Sequence, residues 1–191
     1  RSKGLAAGYA PLAATLVSET ICTAIAEGSH VHSQGFTYSG NPLSCAAGLA
    51  VLDYISENDL VERARVKGEY LAKRLETLRQ IDIVGDLRGK GMFRGIEFVS
   101  DLQTRKPFPV SVGLTQRICD RAYEKGLILI GGMPGCADGV DGDQLQLSPA
   151  LIITEAEIDQ AVERLRQSIE EVRNELVQQG MHSPGNNKMP G

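Results

Sequence analysis

Residues 154–178 constrain the fold more than any other stretch of this chain. Thr154-Glu155-Ala156-Glu157 is a capping box. The threonine hydroxyl and the carboxylate of Glu157 each satisfy a backbone N–H that the first helical turn leaves without a partner. Behind the box, Ile158, Ala161, Val162, Leu165, Ile169, Val172 and Leu176 recur at three- and four-residue steps and form one continuous apolar stripe. A long helix with a single apolar face has to lay that face on another layer, and a small antiparallel sheet is the predicted cover. Its strands are read upstream. Val84 to Val99 resembles two short strands around Gly89, Gly91 and Gly95, and Leu127–Ile130 and Gln144–Leu147 supply two more.

The remaining elements follow from period and punctuation. Pro11 to Ser18 is a compact apolar run suited to a buried strand, and Glu19 to Ala26 reads as a short helix closed by Gly28. Residues 28–41, rich in Gly, Ser, His, Thr and Asn, predict a loop. Pro42 sits well at a helix N-terminus, with the alanine-rich run to Ile55 continuing it. Leu60, Ala64, Leu71, Leu75 and Leu78 predict a second helix over 60–78. A third spans Ser111–Lys125, with Leu114, Ile118 and Ala122 on one face. Residues 131–139 form a glycine-dense loop, and residues 181–191 carry no pattern and are expected to be a disordered tail.

Composition narrows the function classes. The 191 residues are ordinary for a soluble globular protein of one or two domains, and 20 basic against 24 acidic residues give a net charge of −4. That balance offers no electrostatic reason to bind nucleic acid or an anionic membrane, and no run of eighteen apolar residues predicts a span. Cys22, Cys45, Cys119 and Cys136 show no metal-like clustering with His30, His32 and His182, so no metal site is expected. Their wide spacing reads as free core thiols, and the expected compartment is the cytosol.

Chemistry is suggested by Lys3. It is flanked by small residues and followed by an apolar stretch, surroundings that let a ligand approach the backbone and favour a free amine over an ammonium. Thr37 stands between Gly35 and Gly40, where its hydroxyl and nearby N–H groups could meet a phosphate. A phosphate loop of the nucleotide-binding type is excluded at Gly85–Lys90, because only three residues separate the glycines and Gly91 follows the lysine.

Four segments in order resemble the class III pyridoxal-phosphate aminotransferases of fold type I. They are Lys3-Gly4-Leu5-Ala6-Ala7-Gly8-Tyr9-Ala10-Pro11-Leu12-Ala13-Ala14, then Gly35-Phe36-Thr37-Tyr38-Ser39-Gly40-Asn41-Pro42, then Arg88-Gly89-Lys90-Gly91-Met92-Phe93-Arg94-Gly95-Ile96-Glu97, and last Leu145-Gln146-Leu147-Ser148-Pro149-Ala150. The resemblance implies an α/β fold: the edge of a large cofactor-binding domain over residues 1–57, and a small α+β C-terminal domain with a short antiparallel sheet over 58–180. It implies pyridoxal 5'-phosphate as cofactor, Lys3 as the catalytic residue that holds it as a Schiff base, and Thr37 as a contact to its phosphate across a homodimer interface. Tyr38 and Gln146 would line the substrate pocket. Arg88 and Arg94, in a glycine-rich turn, read as structural.

One departure bears on substrate choice. Many relatives carry arginine where Gln146 stands, and there the guanidinium forks onto the donor's α-carboxylate. Glutamine cannot supply that fork. Either another group holds the carboxylate, or the donor is an amine without one. The resemblance also implies that the chain corresponds to the C-terminal portion of such an enzyme, inactive alone because the acid that pairs with the cofactor's pyridine nitrogen lies elsewhere. The expected activity is transfer of an amino group from an amine or amino acid to a keto acid. The competing reading is a non-catalytic binding or dimerisation module built on the same fold.

Overall fold

The capping box forms as its sequence requires. Thr154 Oγ1 accepts from the Glu157 amide at 3.2 Å, and the Thr154 amide donates to Glu157 Oε2 at 2.7 Å. The helix it starts, α5, runs Glu155–Gln178 in a computed structural model that describes residues 4–31 and 35–184. Ile158, Val162, Leu165, Ile169, Val172 and Leu176 are buried along it. Ser168 interrupts the stripe and is fully buried, but its hydroxyl donates to the Arg164 carbonyl at 2.7 Å, so no polar group is orphaned.

The chain divides into two units, Arg1–Val61 and Glu62–Gly191. In the second, four antiparallel strands lie in the order β1-β2-β4-β3: β1 Val84–Lys90, β2 Phe93–Phe98, β3 Ile130–Gly131 and β4 Asp143–Leu147. Leu87, Ile96 and Leu145 are partners across the first three strands in that order. Ile96 and Leu145 are each 1% exposed and join the core with α5, with Leu71 and Leu75 of α3 (Leu60–Leu75), and with Leu114 and Ile118 of α4 (Leu114–Glu124). Because side chains alternate along a strand, Asp86, Arg88, Gly95, Glu97, Gln144 and Gln146 share the opposite face.

Two close approaches set this unit's geometry. A Cβ on Gly68 of α3 would meet the Gly91 backbone at 2.3 Å, so helix and hairpin turn touch where only glycine fits. Arg94 fastens the same contact, donating to the Gly68 carbonyl at 2.7 Å and the Gly89 carbonyl at 2.9 Å. This is the structural use expected of that arginine.

The structure departs from the sequence reading at five places. Residues 11–18 form no strand, and Leu16 and Val17 are 78% and 50% exposed; the described sheet does not include them, and apolar composition alone does not make a strand. The second helix ends as α-helix at Leu75 and continues as a 3-10 turn, Glu76–Gln80, which still buries Leu78. Gly113, at φ +62°, splits the third predicted helix into a 3-10 turn and α4. Of Leu127–Ile130 only Ile130 joins the ladder, because the Leu127 amide is spent closing α4 onto the Ala122 carbonyl, with Gly126 at φ +76°. The cysteines are free thiols but not core residues: Cys22, Cys45 and Cys136 are exposed and Cys119 is half-buried.

The end of the described chain is also more ordered than an unpatterned tail suggests. After α5, the Met181 and His182 amides both turn back onto the Leu176 carbonyl. His182 is 5% exposed, its ring 5.8 Å from that of Phe108 and its Nε2 3.4 Å from Asp82 Oδ2. Asp82 is gripped bidentately by Arg173 at 2.8 and 2.6 Å. Burial pushes the Asp82 carboxyl up, but hydrogen bonds and charge from Arg173, with His182 adding to them, hold it net below the usual carboxylate range.

In the first unit, a 3-10 turn at Gly4–Ala6 precedes α1 (Glu19–Glu27) and α2 (Pro42–Glu57). Among their described residues, α1 buries none and α2 buries Gly48 alone, while Leu43, Leu49, Leu52 and Tyr54 are each at least 49% exposed.

The Asp82 ion pair predicts a pH signature. A carboxyl depressed in the folded state stabilises above its unfolded value, about pH 4, and that stabilisation is lost as pH falls through the folded value. Asp82→Asn should cost about 1–3 kcal/mol at pH 7, the scale of charged hydrogen bonds removed from a partly buried site. The cost should shrink towards pH 3. Urea unfolding of parent and variant at both pH values checks this, and an equal loss at both would count against an ionic origin.

Candidate active site

Thr37 and Tyr38 are placed by a turn that bonds to itself. The Ser39 amide donates to the Phe36 carbonyl at 2.9 Å, the Phe36 amide to Ser39 Oγ at 3.0 Å, and the Asn41 amide to the Tyr38 carbonyl at 3.2 Å. Gly40, at φ +72°, lets the chain reverse. Asn41 then caps α2, its Oδ1 accepting from the Ser44 amide at 3.1 Å, with Pro42 in the first turn. Thr37 is exposed, and among the described residues its hydroxyl makes no hydrogen bond. Tyr38 is 83% exposed and lines a cavity of about 440 Å³ with Ala10–Ala13, Phe36 and Asn41.

A free hydroxyl in a tight turn directly before a sixteen-residue helix suits a phosphate through the positive potential of the helix start, although Pro42 has no N–H and the Ser44 and Cys45 amides are taken by Asn41. These residues therefore fit the phosphate end of the expected cofactor. Lys3 lies outside the described residues, as does His32.

Gln146 belongs to the second unit. It sits on β4 between Gly95 of β2 and Ile130 of β3, and its Nε2 reaches Ser148 Oγ at 3.4 Å. Leu127, Leu129, Leu147 and Ile153, with Ile158, Val162 and Leu165 of α5, wall an apolar cavity of about 200 Å³ that Gln146 and Ser148 border; the Gln146 side chain itself belongs to the opposite face of the sheet. On the same face Arg88 Nη1 donates to Glu97 Oε2 at 2.6 Å and Asp86 Oδ2 at 2.9 Å. The hydrogen bond to Glu97, foremost, holds the guanidinium above its ordinary pKa. Sequence reading treated Arg88 as part of a turn. The signal for this cluster was available in the period-two placement of 86, 88, 95, 97, 144 and 146.

Among the described residues no group of three or more His, Cys, Asp and Glu side chains could hold a metal ion, and no helix is long and apolar enough to cross a membrane.

The family model for class-III aminotransferases matches residues 1–169. This chain belongs to that family. Aminotransferases of this class are pyridoxal-phosphate enzymes. The chain is 39% identical to an uncharacterized aminotransferase, YodT, of Bacillus subtilis, over 91% of its own length and 39% of that protein's. It is 34% identical to the adenosylmethionine-8-amino-7-oxononanoate aminotransferase of Methanocaldococcus jannaschii, over 88% of the chain and 35% of the relative. Among solved structures, a transaminase from the marine bacterium Virgibacillus superposes with a TM-score of 0.84 at 31% identity, over 92% of this chain and 39% of that one. An (S)-enantioselective omega-transaminase from Thermomicrobium roseum gives 0.79 at 32%, over 90% and 36%. These likenesses bear out the mixed α/β fold with a short antiparallel sheet. The aminotransferase chain thus spans less than two fifths of the length of each of these relatives.

Proposed function

We propose that the polypeptide carrying this chain transfers an amino group from an amine or amino-acid donor to a keto acid, with pyridoxal 5'-phosphate held through Lys3. The observation that carries this reading is the family match over residues 1–169, which includes the Lys3 and Thr37 segments. The bound cofactor would supply a conjugated ring that stabilises the carbanion at the donor. The protein's task is placement and proton transfer. The Lys3 amine would hold the cofactor covalently and would move the proton at the donor's α-carbon. Thr37 donates its hydroxyl to the phosphate of a neighbouring subunit's cofactor in a homodimer, and Tyr38 lines the donor pocket. The chain spans 39% of a relative such as YodT, so the activity is assigned to the whole polypeptide that carries it, with the cytosol as its proposed compartment, and this chain alone is expected to be inactive.

Borohydride reduction of the full-length protein with its cofactor, followed by peptide mapping, should mark Lys3. A label on a different lysine would overturn the assignment, and no label on any would favour the non-catalytic binding or dimerisation module.

Thr37→Ala should weaken cofactor affinity by about 1–3 kcal/mol, the scale of one hydrogen bond to a charged group. Equilibrium titration of the apoprotein with pyridoxal phosphate reads this directly, and unchanged affinity would reject the contact.

Gln146, uncharged where many relatives carry arginine, favours donors that lack an α-carboxylate. Gln146→Arg adds a forked cation and should shift kcat/KM towards an α-amino acid over a simple amine. The gain should be modest, because a grafted arginine lacks the supporting contacts that fix its orientation. A parent that already prefers the amino acid by orders of magnitude would sink the carboxylate-free reading.

A further inference from the structure

Cross-strand register puts a cation beside Gln146 that the sequence order hides. Arg88 pairs with Gly95, and Gly95 pairs with Gln146, so the three form one row across β1, β2 and β4. Strands lie about 4.8 Å apart, which sets the Arg88 and Gln146 backbones about 10 Å from one another. The residue between them has no side chain. A Cβ built on Gly95 would lie 3.9 Å from Arg88 Cγ, so the Arg88 stem leans beside the lane that glycine leaves open.

Arg88 is not free to use that lane. Its Nη1 is held by Glu97 at 2.6 Å and by Asp86 at 2.9 Å, and among the described residues its Nε and Nη2 make no hydrogen bond. The two carboxylates are not equivalent. Asp86 also faces Arg79 at 3.8 Å, so part of its charge is already met. Among the described residues Glu97 has Arg88 as its ion-pair partner, and it is the more buried member of that pair, 28% against 56% exposed. The glycine-dense loop lies close enough to feel the same charges. Burial raises the Cys136 thiol pKa, Glu97 raises it further, and Arg88 opposes them.

We infer that Glu97 is a specificity-determining residue: by neutralising and tethering Arg88, the cation in the row of Gln146, it keeps the donor pocket indifferent to an α-carboxylate. The inference rests on the reading that Gln146 faces the donor. On this account glutamine at 146 is half of the device. A carboxylate arriving beside Gln146 meets an arginine whose charge is already balanced by Glu97, and binding it would require that ion pair to break. Without Glu97, the guanidinium is left with the shared Asp86 and can turn its unbonded edge along the Gly95 lane towards the donor.

The experiment uses the full-length protein with its cofactor and three variants: Glu97→Gln, Arg88→Gln and the double change. Two quantities are measured in each. The first is the ratio of kcat/KM for an α-amino acid to that for the amine with the same side chain. The second is the affinity for propanoate by calorimetry. Glu97→Gln should raise the ratio and tighten propanoate by about three- to tenfold, the range of a partly exposed ion pair released. The double variant should lose both gains. A ratio and a propanoate affinity that stay at parental values in a folded Glu97→Gln protein overturn the inference, and so does a gain that survives removal of Arg88. Should Glu97→Gln fail to fold, Glu97→Asp, which withdraws the carboxylate by one methylene, is read by the same criteria. If the parent aminates no keto acid from either donor, the functional reading fails. Propanoate binding then still decides whether Glu97 restrains Arg88.

Discussion

The contact between the α5 stripe and the inner face of the sheet is the interaction on which the second unit depends. Six buried aliphatic residues of that helix meet Ile96, Phe98 and Leu145 in one cluster. Burying such side chains is worth about 1.5–3 kcal/mol each before the entropy of ordering them is charged. The stripe therefore fixes which sheet face is inside, and the pleat then dictates the rest. Once Leu87, Ile96 and Leu145 point inward, Asp86, Arg88, Glu97, Gln144 and Gln146 have no choice but the other side. A hydrophobic requirement on one face thus assembles a polar constellation on the other.

Features readable from the chain were those whose cause is local. The capping box at Thr154, the proline start of α2, the glycine close of α1 and the periodic stripe of α5 all involve residues within a few positions, and all appear where the sequence puts them. What was misread depended on distant partners. The apolar run at 11–18 has strand composition, but composition does not supply a neighbouring strand. Leu127 has strand character too, yet its amide is taken by the end of α4. His182 looked like part of a tail because Asp82, which receives it together with Arg173, stands about a hundred residues earlier in the chain. The period-two placement of 86, 88, 95 and 97 puts Arg88 and Glu97 on one face, but only the register that joins β1 to β2 makes them partners.

The first unit makes the complementary point. A helix that is apolar on every side is written for burial on every side. α2 reads Pro-Leu-Ser-Cys-Ala-Ala-Gly-Leu-Ala-Val-Leu, yet within the described chain it buries Gly48 alone, against the Leu12 side chain. Its sequence is therefore written for contacts that the described residues of the first unit do not themselves provide. The turn at its N-terminus is different in kind. Phe36, Ser39 and Asn41 hold it by their own hydrogen bonds, so the loop that displays Thr37 is organised without those outer contacts. A loop that is locally closed, beside a helix left largely exposed among the described residues, separates two tasks: holding a turn and building a core.

Charge neutrality on the outer sheet face carries a consequence for how specificity can change in this fold. Replacing an arginine by glutamine at position 146 removes attraction for a carboxylate but does not by itself create indifference, because any other cation within reach could take over. Arg88 is within reach by register, and it is Glu97 that occupies it. Losing attraction at one strand and balancing a charge two strands away are separate changes. A glycine between them keeps the lane open, so the second change matters only because the first was made, and the two positions should couple rather than add. On the reading that Gln146 faces the donor, a carboxylate preference would come from either end of the row: from a cation placed at 146, or from release of the one at 88.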